Sequence, residues 1–124
     1  MTTIGNKKWA IAGSNIPARS HGDEPEFTSR DSLWLLNTSN EDAEVSITIY
    51  YADRDPVGPY EIQVAGERVR QVRFNDLIDP QAIPLCVDYA AVVESSVPIV
   101  VQLSQLDTRQ AENARTLSLA FPAG

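Results

Sequence analysis

The sequence predicts an all-β fold, a single-domain β-sandwich of about eight mainly antiparallel strands. Three observations carry this reading. Apolar residues recur with period two, turn-forming residues separate the runs at roughly 8–12-residue spacing, and β-branched residues concentrate within the runs. The clearest run is 44–51, where Val45, Ile47, Ile49 and Tyr51 point one way and Ser46, Thr48 and Tyr50 the other. A helix would need apolar residues three and four apart, and this stretch does not supply them.

The other elements follow in chain order. Residues 8–12 form a short apolar strand, and 32–37 a nearly continuous apolar one that belongs at the centre of a sheet. The polar segment 38–42 is a turn leading into 44–51. Pro56, Gly58 and Pro59 set a bend after it. Tyr60, Ile62 and Val64 alternate with Glu61 and Gln63. Ala65-Gly66-Glu67 is a tight turn, and 68–74 is the next strand. Asp79-Pro80 and Ile83-Pro84 interrupt a longer loop. Residues 88–94 and 99–106 are read as two strands, with Pro98 at the start of the second, where its missing donor does little harm. Residues 107–114 have poor strand propensity. Asp107 followed by Gln110 resembles a capping box and predicts a helical turn there. A strand over 116–121 closes the chain.

Length and composition bound the class. A chain of 124 residues fits one domain, residues 1–124, and buries enough surface to fold without staples. The single cysteine, Cys86, allows no intramolecular disulfide and favours a reducing compartment. Lys7 and Lys8 precede an apolar run that stops at Gly13, too short for a secretory signal. No segment approaches the roughly 20 apolar residues of a membrane span. The expected location is the cytoplasm. The net charge of −7 repels polyphosphate, so nucleic-acid binding would require a local patch such as Arg68, Arg70 and Arg73. A solvated strand face is the better reading of those arginines.

A search for chemistry finds no enzyme. The one histidine, His21, lies in a polar loop with no nucleophile motif around it. One His and one Cys do not make an ordinary zinc site, and Asp53 and Asp55 lack the ligand spacing of a calcium loop. Asp23, Glu24 and Glu26 read as a solvated acidic loop. No Gly-rich phosphate cradle is present. No metal and no cofactor are therefore expected. What remains is a set of polar groups on strands and strand ends. Arg73, Asn75 and Asp76 end one strand, Gln102 interrupts the apolar run 99–103, and Arg109 and Gln110 follow a strand. With Trp9 as a stacking face, these groups would suit a small polar ligand such as a sugar or a carboxylate. The alternative is that Trp9 and Trp34 are core, that Arg73 and Asp76 pin a turn, and that Gln102 bonds neighbouring backbone.

Several motifs carry a family resemblance. They are the run EVSITIYYADRDPVGPY over 44–60, Val72-Arg73-Phe74-Asn75-Asp76-Leu77, Val97-Pro98-Ile99-Val100-Val101-Gln102 and the segment 106–114. Trp9-Ala10-Ile11-Ala12 and Leu35-Leu36-Asn37 fit as well. From about residue 5 to about residue 120 the chain resembles the soluble sensory rhodopsin transducers of cyanobacteria. The resemblance implies a β-sandwich, a cytoplasmic homotetramer and a signalling role taken from a membrane photoreceptor. It also implies small-molecule binding, with sugars as candidates, and suggested DNA contact. Trp9, Arg73, Asn75, Asp76, Gln102, Arg109 and Gln110 match the family's polar set. Arg30, Leu103 and Gln105 depart from it, standing where the family carries His, His and Arg. Those losses weaken the transfer of ligand identity and of photoreceptor contact. Docking to a membrane receptor without a small ligand, and DNA-linked regulation, are the competing readings.

Overall fold

The computed structural model describes residues 4–14, 30–78, 80–84, 87–107 and 114–122. Its strands are β1 (Asn6–Ser14), β2 (Arg30–Asn37), β3 (Ala43–Tyr51), β4 (Val57–Val64), β5 (Arg68–Arg73), β6 (Tyr89–Asp107), β7 (Ala114–Leu119) and the two-residue β8 (Phe121–Pro122). One 3-10 turn, η1 (Phe74–Asp76), follows β5. Every recorded pairing is antiparallel.

The all-β, antiparallel expectation holds, and the arrangement differs from the one expected. The pairing builds one curled antiparallel sheet, a half-barrel, in which one long strand stands where two were expected. The strands expected at 88–94 and 99–106 are one, the 19-residue β6. Pro98 does not break it, because Pro98 falls between ladders. The pairing of β3 with β6 stops at Ser95, and that of β2 with β6 starts at Val100. The β1 register also shifts between Lys8↔Glu94 and Asn6↔Ile99. No neighbour in these registers calls for the N–H that proline lacks. The expected helical turn at 107–114 falls largely outside the described residues.

The long strand β6 is the spine of the fold. Its N-terminal half pairs with β1 and β3, and its C-terminal half pairs with β2 and β7. β2 and β3 run in the same direction against its two halves. β5 and β4 extend the same two halves outward, β5 on β2 and β4 on β3. The sheet therefore bends in the middle of β6 and folds over its own inner face. Alternation fills that face: Leu33 and Leu35 from β2, Val45, Ile47 and Ile49 from β3, Ile62 and Val64 from β4, and Val93, Ile99 and Val101 from β6 form one core.

The bend has its own polar skeleton, centred on the fully buried Asn37. Its Nδ2 donates to the carbonyls of Glu41 (2.7 Å), Val64 (3.1 Å) and Ala65 (3.4 Å). Its Oδ1 accepts from the backbone N–H of Ser39 (3.0 Å) and from Ser39 Oγ (2.8 Å). One amide thus joins the β2–β3 corner to the β4–β5 corner. Glu67 N–H donates to the Ser39 carbonyl (2.8 Å), and Gly66 N–H to Asp42 Oδ1 (3.0 Å). A Cβ on Gly66 would lie 2.8 Å from the Asn40 carbonyl carbon, so only glycine lets the two corners approach this closely.

Candidate functional site

The two halves of the bent sheet part on the side where β4 and β5 are the edges. Among the described residues β4 pairs only with β3, and β5 only with β2. Between them opens a cleft of about 540 Å³ lined by Glu61, Ile62, Arg70, Gln71, Val72, Arg73, Asp76 and Leu77. A second hollow of about 350 Å³ continues it along β4, past Gly58, Pro59, Glu61 and Pro80.

Local sequence explains the cleft's chemistry. Val72 turns inward against Leu33, so the residues beside it on β5 turn outward and carry polar heads. Phe74, fully buried, ends the strand by packing edge-on against Tyr89 (ring centroids 5.3 Å apart). The chain then makes one 3-10 turn, closed by Leu77 N–H donating to the Phe74 carbonyl (3.1 Å). That turn brings Asp76 back beside Arg73, where Arg73 Nε donates to Asp76 Oδ2 at 3.0 Å. The pair is open to solvent, with side-chain exposures of 38% and 61%. On the vertex side, Arg70 Nη1 donates to the Gln63 carbonyl of β4 at 2.7 Å and bridges the two edges. Tyr60, buried beneath β4, donates its hydroxyl to the Gln81 carbonyl and ties down the loop near the cleft. Burial, and after it the neighbouring Tyr51, hold the Tyr60 hydroxyl above the usual phenol range, so it stays a donor at neutral pH.

The expected site residues divide. Arg73 and Asp76 meet at the cleft, with Asn75 between them in the 3-10 turn. Trp9 is elsewhere. It is only 7% exposed, and its indole N–H donates to the carbonyls of Asn6 and Ile99, both at 3.0 Å. Its body is core and its polar handle is satisfied, so it offers no stacking face. Gln102 is half-buried on β6, level with Trp34 of β2 and Leu119 of β7, and does not line the cleft. Arg109 and Gln110 lie outside the described residues, as do His21, Cys86 and the acidic loop of Asp23, Glu24 and Glu26. Leu103, one of the family departures, is a core residue opposite Leu33.

The cleft also contains Glu61 and Gln71, which sequence reasoning missed, and Arg70, which it placed only in a candidate patch with Arg68 and Arg73. Their alternation was visible, but nothing local says that two strands separated by a tight turn splay apart instead of pairing. A second omission is Asp31. It is buried at the start of β2, where its Oδ2 accepts from Tyr89 Oη at 2.6 Å. Among the described residues no cluster of His, Cys, Asp and Glu could hold a metal ion. Among the described residues no helix is long and apolar enough to cross a membrane. Asp53 and Arg54 form an exposed pair, and the Asp53 carboxyl is held below its usual range by its hydrogen bond from Arg54.

The outward surfaces of the two halves differ in charge. On the β4–β3–β6–β1 half, one row reads Glu61, Ser46, Glu94 and Lys8. On the β5–β2–β6 half, successive rows read Val69, Leu36, Val100 and then Gln71, Trp34, Gln102. Val69 and Leu36 are 59% and 39% exposed, and none of these six residues carries a charge.

Comparison with known proteins matches this architecture to a family. The family described as Anabaena sensory rhodopsin transducer matches residues 4–122. The solved structure of the Anabaena sensory rhodopsin transducer is similar at 46% identity and a TM-score of 0.71, covering 83% of this chain and 99% of that one. A second solved structure, Thermotoga maritima 1070, is similar at 29% identity and a TM-score of 0.85, covering 98% of this chain and 97% of that one. No curated protein matches. The match over nearly the whole length and the shared fold make this chain a member of the Anabaena sensory rhodopsin transducer family.

Proposed function

We propose that this chain is a non-enzymatic cytoplasmic signalling domain that binds a small polar ligand, a sugar or a small carboxylate, in the cleft between β4 and β5. The observation that carries the reading is the exposed Arg73–Asp76 pair at a mostly polar cleft, to which Ile62, Val72 and Leu77 add a small apolar share. Asp76 engages Nε of Arg73, and the terminal nitrogens of the guanidinium fork bond no other described residue. A planar fork of that kind takes a carboxylate or a pair of hydroxyls in two parallel bonds. A thermal-shift screen of sugars and small carboxylates tests this. A ligand at 100 times its Kd adds about 2.7 kcal/mol of stability. The reading requires a compound that raises the melting temperature of the wild type and not that of Arg73→Ala.

A second reading concerns partners, and the two uncharged rows of Val69, Leu36, Val100 and Gln71, Trp34, Gln102, with Arg73 next to them on the same face, favour it. Cores of protein interfaces are depleted in charge, and a chain of net charge −7 associates with itself most easily through a surface that carries none. Such a face suits the homotetramer that family membership implies, with docking to a membrane photoreceptor or another receptor as the use of the assembly. Sedimentation equilibrium of the wild type and of Leu36→Glu decides the first part. A tetramer that dissociates in the variant supports it, and a monomeric wild type removes it. DNA contact has the least support. Arg68 and Arg70 already donate to the carbonyls of Glu67 and Gln63.

A further inference from the structure

We infer that the cleft accepts an extended acidic peptide as an added strand on the free edge of β5. This rests on the reading that the cleft is the binding site, and it names the ligand class. The first argument is hydrogen bonding. Along its free edge β5 has no ladder partner among the described residues, so every second residue there offers its N–H and C=O outward. A compact ligand satisfies one or two such groups, whereas a peptide strand matches their two-residue repeat. In strand addition main-chain bonds give affinity and alternate side chains give specificity.

The second argument is asymmetry between the two edges. β4 is guarded: Pro59 has no N–H to offer, and the Gln63 carbonyl already accepts from Arg70 Nη1. The arginine that reaches it comes from β5, so a side-chain donor already stands where a strand would bond. On β5 no comparable guard from the described residues touches the backbone of 70–73. Four residues of strand extend about 13 Å, which limits the added segment to a short one.

The third argument is the lining. None of the eight residues is aromatic, so no ring face is present for a sugar to stack on. Ile62 and Val72 are buried and leave with Leu77 only a narrow apolar strip, which suits a small side chain such as valine. Arg73 presents its terminal nitrogens at one end, which calls for a carboxylate there. Glu61 on the facing strand disfavours a carboxylate opposite it and so helps fix register.

The test uses the full chain and fluorescence anisotropy with a labelled, end-capped peptide of alternating valine and glutamate. Two N-methylated versions block alternate amides in the two registers, and a valine–lysine peptide serves as the charge control. The expected result is saturable binding of the valine–glutamate peptide below about 1 mM. Affinity falls at least about tenfold for one N-methylated register only, for the lysine peptide and for Arg73→Ala. Absence of saturable binding to a natively folded chain overturns the inference, as does equal binding of both N-methylated registers. If succinate or a sugar binds in an Arg73-dependent manner while the peptide does not, the cleft remains the site and the strand inference falls. If the peptide binds Arg73→Ala as tightly as wild type, both readings fall.

Discussion

The bend around Asn37 and the cleft around Arg73 lie at opposite ends of the β2–β5 strand pair, and they use polar groups in opposite ways. At the bend, both polar atoms of a fully buried amide are committed to backbone partners. At the cleft, an exposed ion pair leaves the terminal guanidinium nitrogens without a partner among the described residues, in a mostly polar lining. A buried, satisfied polar group specifies structure, because removing it strands its partners in a dry interior. An exposed, prearranged group contributes little to stability and is available to a ligand. The two regions should therefore respond to substitution in opposite ways.

The largest effect is expected at the bend. Asn37→Ala leaves the carbonyls of Glu41 and Val64 and the N–H of Ser39 without their side-chain partner, and should cost about 3–4 kcal/mol in denaturant unfolding. Asn37→Asp should be at least as damaging at neutral pH, since a carboxylate would face those carbonyls. Next comes Tyr89→Phe, which removes the hydroxyl that donates to the buried Asp31 and should cost about 1–3 kcal/mol by the same measurement. Glu67 holds a left-handed conformation at φ 57°, so Glu67→Gly relieves strain and should stabilise by about 0.5–1 kcal/mol, checked by the melting temperature. A loss of stability there would show that the Glu67 side chain matters more than its backbone.

The smallest effect is expected at the exposed Asp53–Arg54 pair. The carboxyl of Asp53 is lowered in the folded state, first by its hydrogen bond from Arg54. Whatever stability it adds is present above its unfolded value and is lost as pH falls through the folded one. Because the pair is exposed, Arg54→Ala should leave the acid limb of the stability curve unchanged within error. A displaced acid limb would mean that surface pairs carry more weight in this fold than the comparison allows.

Much of this contrast is legible in the sequence. Alternation placed Val45, Ile47 and Ile49 on one face, and they are core. The reading of Arg73 and Asp76 as a turn-pinning pair and their reading as a site describe one arrangement. Trp9 was legible as large and apolar but not as satisfied, because its two acceptors are Asn6, three residues away, and Ile99, ninety residues away. Pro98 misled for a similar reason. Whether a proline breaks a strand depends on which neighbours ask for its N–H, and that is set by the registers of β1, β2 and β3. Asn37 looked like an ordinary strand end, since its role comes from a corner built by residues 64–65. Periodicity reports which face a side chain takes, and it is silent on which corners meet.

The most direct test is the Arg73→Ala variant in the thermal-shift screen, read twice. Loss of an exposed pair should lower stability by no more than about 1 kcal/mol, so the unliganded melting temperature should move only a few degrees. The ligand-induced rise seen in the wild type should disappear. A variant that melts far lower yet keeps that rise would contradict the account, because Arg73 would then belong with Asn37 in the scaffold and the cleft would not be the site.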